Sequence, residues 1–235
     1  MTKPIELYFW PTPNGFKITI ALHEMGLPYD LKLINIGKGE QFAPEFLKFS
    51  PNNRMPAIID PEGPDGQPIS VFESGAILLY LARKTGQFGG KTAREQVAVE
   101  EWLMWQMGGV GPMAGQAHHF LKYAPSMEPP NDLPYAKNRY RAEVGRLYGV
   151  LNKRLADNAY VAGENFTIAD MAIFPWTRGW EGQQQTLDDK PHMKRWMDAI
   201  NARPAVIEAL NVGVEARVDL TQDKEAQKIL FGQKG

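Results

Sequence analysis

The chain contains no cysteine. That excludes disulfides, thiolate-ligated metals and every mechanism built on a cysteine nucleophile, so any thiol chemistry has to come from a ligand. An excess of one charge is also lacking. The 26 Lys and Arg residues nearly balance 27 Asp and Glu, a formal net charge of -1, so no basic field for nucleic acid or an anionic lipid surface arises. No apolar run is long enough to span a membrane, and the N-terminus leads into a strand without a signal-peptide pattern. A cytoplasmic address with no nucleic-acid and no membrane partner is the expectation. An apolar fraction of 43% beside 23% charged residues over 235 positions is the balance of a soluble globular protein with room for one or two domains.

Glu6 to Trp10 is apolar and aromatic and reads as a strand, followed by the turn cluster Pro11-Thr12-Pro13-Asn14-Gly15. Ile18, Ala21, Leu22 and Met25 then recur at i, i+3, i+4 and i+7, an amphipathic helix that Gly26 closes. Leu31, Leu33 and, less regularly, Ile34 belong to a second strand. Ala57 to Asp60 is a short apolar run with a polar stop, and Pro56 brings the chain into it through a turn. Ile69 to Phe72 follows as a further strand, and Glu73-Ser74 opens a helix marked by Ile77, Leu78 and Leu81. The order βαβ then ββα is the thioredoxin-like layout.

Thr85 to Arg94 reads as a linker, and beyond it only helical periods occur. They run through Val99, Trp102, Leu103, Met107 and Val110, then Tyr140, Val144, Leu147, Leu151 and Leu155, then Met193, Trp196, Met197 and Ile200, with a shorter one at Val206 and Leu210. Thr167 and Asp170 form a capping box. Tyr123 to Pro134, with four prolines, is a loop between helices, and the last twenty residues read as a loosely packed polar tail. The expected division is residues 1–85 as an α/β domain and 95–235 as an all-α domain.

Two local readings remain open at this level. Ser74 and Pro56 can be a plain cap and strand start, or they can shape a ligand site, since a helix N-terminus offers unpaired N–H groups and partial positive charge. Thr12 and Asn14 can merely shape a turn, or offer an O–H and an amide donor at the first strand-to-helix junction.

Taken together, Tyr8-Phe9-Trp10-Pro11-Thr12-Pro13-Asn14-Gly15, Gly37-Lys38-Gly39-Glu40-Gln41-Phe42, Ser50-Pro51-Asn52-Asn53-Arg54-Met55-Pro56 and Phe72-Glu73-Ser74-Gly75-Ala76-Ile77-Leu78-Leu79-Tyr80-Leu81 resemble the glutathione transferase superfamily over nearly the whole chain. Within it they are similar to the bacterial Nu class, which is related to the fungal prion-forming nitrogen regulator. The resemblance implies that Pro56 is cis, that the Met55 backbone pairs with the cysteinyl unit of glutathione, and that Glu73 and Ser74 hold its γ-glutamyl end. It further implies that Gln41 contacts the glycyl end, with Arg54 assisting through charge and Lys38 a lesser candidate. Arg139, or its neighbour Arg141, would reach the glutathione of a second subunit in a homodimer.

Every glutathione enzyme of this kind must stabilise a thiolate, because the thiolate is the attacking species. Other classes use tyrosine, serine or cysteine; here Thr12 and Asn14 are the candidates, and Tyr8, inside its strand, is the rival donor. The function expected is a glutathione-dependent disulfide reductase. The alternatives are a transferase acting on electrophiles, a glutathione peroxidase, or a non-enzymatic glutathione-binding regulator. His118-His119 suggests a metal, but no carboxylate or cysteine spacing supports one; Trp176, Arg178 and Trp180 are candidates for a second-substrate pocket, and no metal is expected.

Overall fold

The computed structural model describes residues 3–232. Strand β1 (Ile5–Phe9) buries Ile5, Leu7 and Phe9 while Glu6 and Tyr8 stay half-exposed, the alternation a strand imposes. The remaining elements are α1 (Pro13–Glu24), β2 (Tyr29–Leu33), the single-turn α2 (Pro44–Leu47), β3 (Ala57–Asp60), β4 (Ile69–Phe72), α3 (Ser74–Thr85), α4 (Ala93–Trp105), α5 (Gly111–His118), α6 (Pro134–Arg154), α7 (Ile168–Thr177), α8 (Pro191–Asn201), α9 (Pro204–Asn211) and α10 (Lys224–Phe231). They sort into two units: residues up to Thr85 together with those from Pro204 onward, and Gly86–Arg203.

The first unit carries a four-stranded sheet in the order β2-β1-β3-β4. β1 pairs parallel with β2 and antiparallel with β3, and β3 pairs antiparallel with β4. This is the expected thioredoxin-like build. Leu31 and Leu33, on the edge strand β2, are exposed. α1 is buried from Gly15 through Leu22, enclosed on more than one side, as α3 and α9 both pack on it. Gly26 takes a left-handed backbone at the end of α1, as its position suggested.

Asp60, the polar stop after β3, is buried and pinned. It accepts from Lys84 Nζ at 2.7 Å, the Tyr80 hydroxyl at 2.5 Å and Glu62 N at 2.8 Å. Burial alone would raise its pKa, but Lys84, Tyr80 and the Glu62 N–H together hold it below the usual carboxylate range. The end of the sheet is thereby fastened to the last turns of α3.

The C-terminal segment departs from the sequence expectation. It is not a loose tail of the helical domain. α9 packs on α1, and α10 on the turn Ile36–Lys38. Thr19 donates its hydroxyl to the Ala209 carbonyl at 3.1 Å. Asp223 caps α10 by accepting from Ala226 N at 2.9 Å, and Ala226 and Gln227 are buried. A Cβ on Gly37 would stand 3.2 Å from the Ala226 methyl, so the two elements approach closely there. Overall polarity hid this helix because its few apolar residues share one side.

The second unit is all-helical. α4 starts in a capping box of Thr92 and Glu95, inside the segment read as a linker. Short π-helical turns, Gln106–Val110 and His119–Tyr123, flank α5. The core includes Val99, Leu103, Val144, Leu147, Leu151, Met193, Trp196 and Ile200. α7 is buried along nearly its whole length. At its start Asp170, fully buried, accepts from Thr167 N at 3.0 Å, the Thr167 hydroxyl at 3.1 Å, Val161 N at 2.9 Å and Trp196 Nε1 at 2.8 Å. Burial pushes its pKa up to about 6, against the pull of those donors. One carboxylate thus joins the cap of α7, the preceding loop and α8.

Asp170→Ala leaves several buried donors unsatisfied and should cost ~3 kcal/mol or more. Urea denaturation of the variant checks this, and a loss below ~1 kcal/mol would show that the network does not hold the unit together.

Candidate functional site

Register brings the end of β1, the start of β3 and the end of β4 together at one end of the sheet. Tyr8 near the end of β1 lies opposite Ala57 at the start of β3, and Ala57 lies opposite Phe72 at the end of β4. The turns carrying Thr12, Met55-Pro56 and Glu73-Ser74 therefore leave the sheet side by side.

The first turn is built for close approach. A Cβ on Gly15 would collide with the Trp10 carbonyl and lie 2.8 Å from Phe9 Cε2, so only glycine lets α1 start so near β1. Thr12 caps α1 from an extended backbone, its Oγ1 accepting from Gly15 N at 3.2 Å. The same hydroxyl points its proton at Met55 Sδ, 3.9 Å away. A thioether is a weak acceptor, so a thiolate would compete well for that proton. Asn14 is the second residue of α1 and half-buried.

Tyr8 is a poor rival. Its hydroxyl donates to Glu6 Oε2 at 2.8 Å, and its ring packs at a tilt against Phe49, centroids 4.4 Å apart. Burial, then Glu6, pushes its pKa up to about 12.

The Met55–Pro56 peptide bond is cis, and both residues are buried. Arg54 is exposed, its carbonyl accepting from Ser50 Oγ at 2.6 Å. Gln41 is 1% exposed. One of its amide hydrogens goes to the Ile36 carbonyl, at 3.3 Å, and its Oε1 is buried without a hydrogen-bond partner. The amide carries a second hydrogen. Lys38 is exposed.

Glu73 has a left-handed backbone, φ 68°, unusual for a residue with a Cβ. Its carbonyl accepts from Ile77 N at 2.9 Å, so it holds the cap position of α3. Its carboxylate accepts from Asn52 Nδ2 at 3.4 Å. Ser74, first inside the helix, is buried.

Sequence reasoning passed over one residue here. Lys17 is 1% exposed and donates to Ser74 Oγ at 3.2 Å. Burial pushes its pKa down to about 7, while Glu73 pulls it back up. The available signal was an ammonium four residues before Ala21, on the flank of the apolar face of α1.

Arg139 and Arg141 belong to the second unit, both exposed on α6. Glu143 is held below its usual pKa by Arg146 first and Arg139 further. His118 packs against the backbone at Gly179 and Gly182, and burial lowers the pKa of His119. Among the described residues no group of three or more His, Cys, Asp or Glu is placed to hold a metal. Trp176 and Trp180 are half-buried and Arg178 is exposed.

The glutathione S-transferase N-terminal domain family matches residues 3–83, and the C-terminal domain family residues 112–204. The chain belongs to the glutathione S-transferase family. It is 52% identical over 207 residues to the disulfide-bond oxidoreductase YfcG of Escherichia coli (strain K12), covering 88% of this chain and 94% of that one. A crystal structure of a glutathione transferase from Burkholderia graminis, with two glutathione molecules bound per subunit, is similar at a TM-score of 0.83 and 44% identity, over 89% of this chain and 88% of that one. Another, from Pseudomonas putida with one glutathione disulfide per subunit, is similar at 0.84 and 40% identity, over 89% and 91%.

The left-handed backbone at Glu73 carries a conformational cost that glycine would not have. Glu73→Gly should therefore leave stability unchanged or raise it by ~1 kcal/mol, read by urea denaturation. A clear loss would mean that the carboxylate's contact with Asn52 outweighs the strain.

Proposed function

We propose that this protein reduces small disulfides with glutathione, as a cytoplasmic homodimer. The supporting observation is an assembled donor turn in a chain without a sulfhydryl of its own: the Thr12 proton already faces a sulfur. A free thiol has a pKa near roughly 8.5, and donors from Thr12 and Asn14, with the positive end of α1, favour its thiolate. One glutathione thiolate attacks the substrate disulfide, forming a mixed disulfide and releasing one substrate thiolate. A second glutathione attacks the mixed disulfide, giving oxidised glutathione and the second thiol. Two electrons leave two glutathiones and reduce one disulfide. The name of the Escherichia coli relative and the glutathione disulfide in the Pseudomonas putida structure support this reading.

In it, Glu73 pairs with the ligand's ammonium and Ser74 with its γ-glutamyl carboxylate. The Met55 backbone before Pro56 pairs with the cysteinyl unit. Gln41 and Arg54 serve the glycyl end, and Arg139 reaches the glutathione of the other subunit. Conjugation of electrophilic carbons, the activity in the family's name, would use the same thiolate.

Turnover of hydroxyethyl disulfide should require glutathione and survive treatment of the protein with a thiol alkylator. Thr12→Ala should lower the rate by up to about 10²–10³, beyond a cap loss of ~1 kcal/mol in stability. Tyr8→Phe should change little. Background disulfide turnover beside strong conjugation of an aromatic halide would replace this reading with the transferase one.

Binding supplies a second check. Glu73→Ala should weaken glutathione by about 1.5–3 kcal/mol in calorimetry. Arg139→Ala should raise KM for glutathione while leaving the melting curve in place; an unchanged KM removes its assignment.

A further inference from the structure

Lys17 has no place in the chemistry described so far, yet its position is costly. An ammonium that is 1% exposed is stable only when paired and hydrogen-bonded. It is the one charged residue in the buried stretch of α1 from Gly15 to Leu22. An ammonium can only donate, so in the 3.2 Å contact Ser74 Oγ must be the acceptor. The single hydroxyl hydrogen of Ser74 is thereby directed elsewhere.

The charges around Ser74 make the same point. Glu73 contributes one negative charge and acts electrostatically on Lys17. The γ-glutamyl end of glutathione brings one carboxylate and one ammonium. With Lys17 protonated the four charges sum to zero; with Lys17 neutral the cluster keeps one net negative charge in a buried setting.

We propose that Lys17 is a positioning residue for glutathione: protonated, it holds Ser74 as a donor toward the ligand's γ-glutamyl carboxylate and balances Glu73. This rests on the reading that the Glu73–Ser74 turn takes that end of glutathione. Because burial has brought the ammonium's pKa down to about 7, the incoming carboxylate draws a proton onto it. Within this unit the titratable groups on the helices packed against α1 are Tyr80, Arg83 and Lys84 of α3 and Glu208 of α9. On α3, Tyr80 and Lys84 turn to Asp60, and Arg83 lies in the last turn with Lys84. On α9 the one titratable residue, Glu208, pairs with His23 at the other end of α1, 3.4 Å away.

The experiment is calorimetric titration of the full chain with S-methylglutathione, whose blocked sulfur releases no thiol proton. Two buffers of different ionisation enthalpy are used. Wild type should take up about half a proton per site near pH ~7.5 and almost none near pH ~5.5. Lys17→Met should lose the uptake and bind about tenfold or more weakly at the lower pH. The wild-type proton count decides the matter even where Lys17→Met fails to fold. Binding by wild type without uptake, or uptake that persists in Lys17→Met, overturns the role of Lys17 alone. No binding by wild type overturns the site reading as well.

Discussion

The first unit depends on one constraint, the register of β1, β3 and β4. Tyr8 opposite Ala57, and Ala57 opposite Phe72, put three chain segments side by side at one end of the sheet. A slip of one residue would turn every core side chain of a strand outward, so the burial of Leu7, Phe9 and Ile58 also fixes where Thr12, Pro56 and Glu73 emerge. The candidate site is in this sense a by-product of core packing. The fastening of Asp60 to α3 holds the same register from the far end of β3.

With the scaffold fixed by the core, the site can be poor in reactive groups. The chain has no thiol, and what it offers is oriented polarity: a hydroxyl at a helix cap, two helix N-termini, and a buried ammonium beside a carboxylate. Such groups do little to a substrate by themselves. They change which protonation state of a bound thiol and carboxylate is favoured, and preorganised donors do that well because they need not reorient. This is a physical reason why a cysteine-free protein can belong to a family whose chemistry runs on sulfur.

The two units solve the burial of charge in different ways. Asp170 is surrounded by backbone, hydroxyl and indole donors and ties an all-helical core together. Lys17 has its contact with the Ser74 hydroxyl and the field of Glu73, and it stands beside the turn where a ligand is expected. One arrangement is suited to rigidity, the other to responding when a further charge arrives.

Periodicity in the sequence was enough to locate β1, α1, β3, β4 and α3, and the helical faces at Val99, Val144 and Met193, because each repeats apolar residues over at least a strand's length or two helical turns. The capping box at Thr167 and Asp170 and the glycine ending α1 were equally legible, since caps are local chemistry. The turn motifs, read as a set, gave the family. What lay beyond the sequence was set by contacts distant along the chain. α10 is short and mostly polar, and its attachment to the first unit is visible only once Ala226 meets Gly37. Lys17 looks like a solvated lysine until α3 is laid beside α1 and its ammonium is found against Ser74, 57 residues away. A residue's own neighbours determine which local structure it can form; whether its charge ends in water or in the core is decided by the fold, because desolvation depends on what packs over it.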